Sequence, residues 1–170
     1  MENINFICFK IRHEISNKYS KGGMCCKNPN WHWSKFGKCW NSLNTIKNHL
    51  FQYCEESSQT FKNKIPDEWI VEVYLYDDNN MLKCINIKAK YFYPLLDYKD
   101  VIKKYTNERN IGDNYYDLNR YFLKEFHKIF NMWLKDIANK HNSGANATFD
   151  MNYNKLYESI IEGIRINYNI

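Results

Sequence analysis

Residues 68–93 read EWIVEVYLY-DDNN-MLKCINIKAKYFY, and this stretch decides the fold. In its first arm Trp69, Val71, Val73 and Leu75 alternate with Glu72, Tyr74 and Tyr76, the period-two pattern of a strand with one dry and one wetter face. Asp77-Asp78-Asn79-Asn80 is turn chemistry, because Asp and Asn side chains bond their own backbone and tolerate positive φ. The second arm alternates again through Ile85, Ile87, Ala89 and Tyr91. A β-hairpin over Glu68–Tyr93 is expected, joined in one antiparallel sheet by a strand over residues 4–12 (INFICFKIR).

Outward from the hairpin the pattern changes. Leu43, Ile46, Leu50, Tyr53 and Cys54 recur at helical spacing, with Ser42 as N-cap, which predicts a helix to about Phe61 before Pro66. Residues 31–40 (WHWSKFGKCW) predict a tight hairpin turning at Gly37, preceded by a polar loop from Ser16 to Asn30. After Pro94 the chain reads as helix. Asp97 caps a short one carrying Tyr98, Val101, Ile102 and Tyr105, and Gly112 ends it. Asp113 then caps a long one whose stripe is Tyr115, Leu118, Phe122, Phe126, Ile129, Phe130, Trp133 and Ile137. A loop over His141–Thr148 leads to a last helix, capped by Asp150, with Leu156, Ile160, Ile161 and Ile164. Strands first and helices last predict an α+β fold: a small antiparallel sheet with packed helices and a C-terminal helical pair. One domain over residues 1–170 is expected, strand-rich to residue 93 and helical from 94.

The 170 residues suffice to bury about two-thirds of the unfolded surface, so folding requires neither disulfide nor metal. No charged leader followed by an apolar run opens the chain, and no run of apolar residues is long enough to span a bilayer. A cytoplasmic location without membrane contact is expected, and the six cysteines are expected to be reduced thiols.

Charge is the most informative property. The formal net charge is +5. Between Ile15 and Cys54 there is no Asp or Glu but six lysines, Lys18, Lys21, Lys27, Lys35, Lys38 and Lys47, which leaves eighteen basic against nineteen acidic residues elsewhere. The whole positive excess therefore lies in this segment, just after Lys10 and Arg12. Trp31, Trp33, Trp40 and Tyr19 are interleaved with it. Ammonium groups neutralise phosphates, and aromatic faces stack on bases. Gly22 and Gly23 let backbone N–H groups approach an anion closely. The expected binding residues are Arg12, Tyr19, Lys21, Gly22, Gly23, Trp33, Lys35, Lys38, Trp40, Lys47 and His49. A basic patch of this kind suits nucleic acid, a nucleotide or an acidic protein surface.

Other chemistries fit less well. Cys25, Cys26, His32 and Cys39 supply four soft ligands, but adjacent cysteines replace the C-x₂-C pair of zinc sites, so no metal is expected. A Cys25 or Cys26 nucleophile with His32 or His49 as base lacks an orienting third group and an oxyanion site. The basic segment contains no carboxylate for a nuclease metal. His49 is expected on an exposed flank of its helix. No cofactor and no enzymatic activity are expected.

Four blocks occur in order: Lys10-Ile11-Arg12; Tyr19-Ser20-Lys21-Gly22-Gly23; Trp33-Ser34-Lys35-Phe36-Gly37-Lys38-Cys39-Trp40; and Lys47-Asn48-His49-Leu50. Together they resemble a small bacteriophage protein family with the pattern K-I-R, Y-S-x-G-G, W-(S/T)-K-x-G-K-x-W and K-x-H-L. The resemblance covers residues 6–50 and departs from the pattern over Met24–His32. It implies a phage origin and, by association with small phage proteins outside the virion, a binder that inhibits a host defence system. The expected form is an anti-CRISPR-type blocker of a nucleoprotein effector. A sponge for a defence signalling nucleotide and an enzyme acting on nucleotide or nucleic acid are the alternatives.

Overall fold

A computed structural model of the chain describes residues 6–22, 33–51, 65–92 and 115–149, together with Lys155, Leu156, Glu158, Ser159, Glu162, Gly163 and Ile166. The side chains of Phe6, Phe51, 115–119 and 121–123 lie outside that description. So do Gly23, Cys25, Cys26, Trp31 and His32, the expected helical stretch 52–61, the short helix after Asp97, and Gly112, Asp113 and Asp150.

Along the chain run β1 (Phe6–His13), β2 (Lys18–Ser20), β3 (Trp33–Ser34), α1 (Leu43–Phe51), β4 (Trp69–Tyr76), β5 (Leu82–Lys88), α2 (Tyr115–Lys140) and β6 (Asn146–Ala147). The fold is α+β. Its sheet has six strands in the order β3-β2-β1-β4-β5-β6. The pairs from β3 to β5 are antiparallel, and β6 joins β5 in parallel, so the sheet is mixed at one edge.

The expected hairpin forms β4 and β5. Asp77 Oδ1 accepts from the N–H groups of Asn79 at 2.9 Å and Met81 at 2.8 Å, while Asn80 takes φ +58°. The second arm is shorter than its alternation predicts, because the chain leaves the sheet after Lys88 and Ala89–Phe92 wind into a 3-10 turn. That turn places Phe92 edge-on to Phe9, with ring centroids 5.9 Å apart. Phe92 is fully buried there.

Register produces the core. Phe9 faces Val73, which faces Ile85; Ile11 faces Val71, which faces Ile87. All six are buried, two cross-strand apolar rows on one face of the sheet. In α1, Leu43, Ile46 and Leu50 are buried, and Ser42 Oγ accepts from the Thr45 N–H at 3.2 Å, the expected N-cap. This helix contacts the 3-10 turn.

Three local expectations need correction. The polar loop from Ser16 contains a strand, since β1 turns at His13–Lys18 into β2 with Asn17 at φ +52°. Residues 33–40 do not pair with themselves: β3 pairs with β2, while Trp40 bridges to Phe9 of β1 through backbone bonds of 2.8 and 2.9 Å. The loop after α2 contributes β6, because Gly144 and Ala145 bond Cys84 and Asn86 and carry the next residues alongside β5.

The chain divides into two compact units. The first comprises Met1–Leu95 and Leu134–Phe149, so the last turns of α2 belong with the sheet. The second comprises Leu96–Trp133 and Asp150–Ile170. Within it Phe126 and Phe130 stack at 5.5 Å, and the described residues between 155 and 166 are helical, with Leu156 buried. No helix among the described residues is long and apolar enough to cross a membrane.

Candidate binding edge of the sheet

On the opposite face of the sheet β1, β4 and β5 form three more rows: Cys8, Tyr74 and Cys84; Lys10, Glu72 and Asn86; Arg12, Ile70 and Lys88. Glu72 lies at their centre, buried. Arg12 Nε donates to Glu72 Oε1 at 2.6 Å, Tyr19 OH donates to the same oxygen at 3.3 Å, and Tyr74 OH donates to Oε2 at 2.8 Å. A buried carboxylate persists where hydrogen bonds replace its lost hydration. Burial, followed by the hydrogen bond to Glu72, pushes the Tyr74 phenol far above its ordinary pKa. The Tyr19 phenol rises through burial and the nearby Glu72 charge.

This network decides what Arg12 and Tyr19 can do. Besides Glu72, Arg12 donates through Nη1 to Asn17 Oδ1 at 3.1 Å. Tyr19 carries Lys10 Nζ over its ring at 5.1 Å. Both residues brace the sheet through Glu72.

The tryptophans expected to stack on a ligand are occupied by packing. Trp40 is buried at 4% exposure, with His49 5.0 Å from its ring and Lys38 Nζ 5.7 Å above it. Trp33 is half-buried and meets His13 and Trp69 edge-on at 5.2 and 5.3 Å. Lys47 and His49 are buried as well, each 7% exposed, which corrects the expectation that they belong to an outer surface. The reason is helical spacing: Leu43, Ile46, Lys47 and Leu50 fall on one stripe of α1. Burial lowers the Lys47 pKa.

What remains outside is the edge formed by β2, β3 and the turn after β3. Lys18, Lys21, Lys35 and Lys38 are exposed and, among the described residues, hold no carboxylate. In the same unit Lys83, Lys88, Lys90, Lys135 and Lys140 pair with Asp77, Glu14, Asp67, Asp78 and Asp136. At the tip of the turn Phe36 is 75% exposed. Gly22, at φ +71°, packs against Lys38: a Cβ there would lie 2.7 Å from Lys38 Cδ. Sequence reading missed Phe36, Lys10 and Glu72 as parts of the site. The signal for Phe36 was its position between Lys35 and a turn glycine.

Cys8, Cys39 and Cys84 are free thiols. Burial, then Cys39 through its charge and a hydrogen bond, raises the Cys8 pKa, and burial followed by Glu72 raises that of Cys84. Raised values disfavour the thiolate, the form that acts as nucleophile or ligand. Among the described residues no group of three His, Cys, Asp or Glu side chains is arranged to hold a metal ion. No family model, curated protein or solved structure matches the chain.

Proposed function

We propose that this protein is a binder that blocks a nucleoprotein effector of host defence, docking through the lysine-bearing edge of β2, β3 and the 35–38 turn. The supporting observation is the contrast between lysines: the exposed Lys18, Lys21, Lys35 and Lys38 hold no carboxylate among the described residues, while Lys83, Lys88, Lys90, Lys135 and Lys140 do. A cluster of uncompensated ammonium groups raises the local potential and attracts a polyanion. The phage resemblance over residues 6–50 supplies the setting.

The test is a charge reversal confined to the exposed positions. Lys21→Glu, Lys35→Glu and Lys38→Glu combined should abolish capture of the partner from host lysate, with the captured proteins and nucleic acids identified by mass spectrometry and sequencing. The melting temperature should hold, since exposed substitutions stay within about 0.5 kcal/mol each. Lys47 is left out because reversing a buried charge would unfold the chain and obscure the result. A folded triple variant that still captures its partner ends this reading.

A further inference from the structure

We infer that the contact made by this edge is with an unpaired nucleic acid strand, and that Phe36 is the platform on which one of its bases stacks; the inference rests on the edge being the docking surface. The first observation is how Phe36 is presented. Gly37 has φ +63°, and a Cβ there would fall 2.2 Å from Tyr19 Cβ, so the turn lies hard against β2. Ser34 Oγ accepts from the Gly37 N–H at 2.9 Å, and the Lys38 N–H donates to Ser20 O at 2.7 Å. Lys10 Nζ donates to Phe36 O at 3.3 Å. The backbone around Phe36 is therefore tied on both sides while its ring stands in water. A rigid backbone holding out an aromatic ring reduces the ordering cost of binding.

The second observation is what surrounds the ring. Its neighbours in the turn are Ser34, Lys35, Gly37 and Lys38, with Lys35 Nζ 5.7 Å from the ring centroid. Hot spots between proteins sit in a desolvated core of further apolar groups, and this turn offers none. A base needs only one ring face, and the phosphates beside it need ammonium groups within reach. One exposed ring among uncompensated lysines meets both needs. Stacking is tolerant of sequence, since every base has a π face, but a duplex hides those faces. The ligand class is therefore single-stranded RNA or DNA, recognised without regard to sequence.

Fluorescence anisotropy of the full chain with a short labelled oligouridylate, an oligothymidylate and a duplex of equal length tests this. Both single strands should bind, more tightly than the duplex, with affinity falling steeply as salt rises. Phe36→Ala should weaken single-strand binding roughly 5- to 100-fold, with the salt slope and melting temperature unchanged. Phe36→Trp should retain it. Lys35→Gln and Lys38→Gln should instead lower the slope by about 0.7 for each phosphate that is no longer neutralised. Equal affinity of Phe36→Ala, or a duplex that binds as well as the single strands, overturns the inference. So does the absence of oligonucleotide binding while the triple lysine reversal still abolishes partner capture; that result leaves the edge as a docking surface for an acidic protein. Failure of the docking reading looks different, because the triple reversal would then leave partner capture intact.

Discussion

The two ends of the sheet solve the same problem in opposite ways. At the β4–β5 turn, charges are engaged internally: Lys83 lies 3.7 Å from Asp77, Lys135 3.3 Å from Asp78, and Asn139 Nδ2 donates to Asp78 Oδ2 at 2.7 Å. These contacts tie the hairpin to the last turns of α2. At the β2–β3 edge the lysines hold no carboxylate among the described residues, and the anchoring is done beneath them by Trp40 and by the Glu72 network. The lesson is that charge count does not show which lysines are already engaged; the pairing state of each does, and the proposed docking edge rests on that distinction. One end engages its charges in ion pairs, whereas the other is anchored by packing and by a buried polar network and leaves its exposed lysines without a carboxylate among the described residues.

That contrast is most easily broken at Trp40. It is buried, with a backbone bridge to Phe9, the ring of His49 5.0 Å away and the Lys38 ammonium 5.7 Å above its own ring. Trp40→Ala should destabilise the protein by about 3–5 kcal/mol, as large-to-small core substitutions do. Chemical denaturation measures it. A loss below about 1 kcal/mol would mean that the edge is not held by packing, and the distinction between the two ends would fail.

Lys47 sharpens the comparison by supplying a third state, a lysine whose charge is neither paired with a carboxylate among the described residues nor left outside. Burial lowers its pKa in the folded chain. Below that lowered value the folded state bears the cost of a poorly hydrated ammonium. Between it and the ordinary lysine value of 10.5 the unfolded chain binds more protons, so stability rises with pH. Lys47→Met keeps helix propensity and removes the charge. It should stabilise the protein at neutral pH by on the order of 1 kcal/mol, and its advantage should shrink in alkaline buffer. Melting curves at both pH values decide it, and an advantage that grows with pH contradicts the burial account.

These cases also show what the sequence could say. The hairpin, α1 with its Ser42 cap, and α2 were legible because each carries a sustained period and a stop signal. β2, β3 and β6 were not, since two or three residues establish no period and their pairing depends on distant partners. The lysine-rich segment was legible as charge, but not its division into outer and buried members. For Lys47 the signal existed in the spacing 43, 46, 47 and 50, which marks it as part of an apolar stripe. For Trp33 and Trp40 composition pointed outward, and the fold turned them inward. Large apolar rings contribute more when buried than when shown to solvent; Trp40 meets β1 and α1, and Trp33, half-buried, meets His13 and Trp69. Glu72 lies on the face opposite Val71, Val73 and Leu75, but its burial depends on Arg12 and Tyr19, far away in sequence.

The smallest effect is expected at Lys135, and it bears on the comparison from the other side. Its ammonium faces Asp78, which Asn139 also holds through its side-chain amide, while the Asp78 N–H donates to Asn139 Oδ1 at 3.1 Å. Removing the lysine therefore leaves the carboxylate with a partner, and the pair itself is partly open to water. Exposed ion pairs contribute roughly 0–1 kcal/mol and are screened by salt. Lys135→Gln should accordingly cost no more than about 0.5 kcal/mol, a loss that shrinks at high ionic strength. It should leave partner capture unchanged, although it removes one positive charge just as Lys35→Gln does. If Lys135→Gln weakened capture as much as Lys35→Gln, net charge rather than the pairing state of each lysine would govern binding. The two ends of the sheet would then differ in architecture alone.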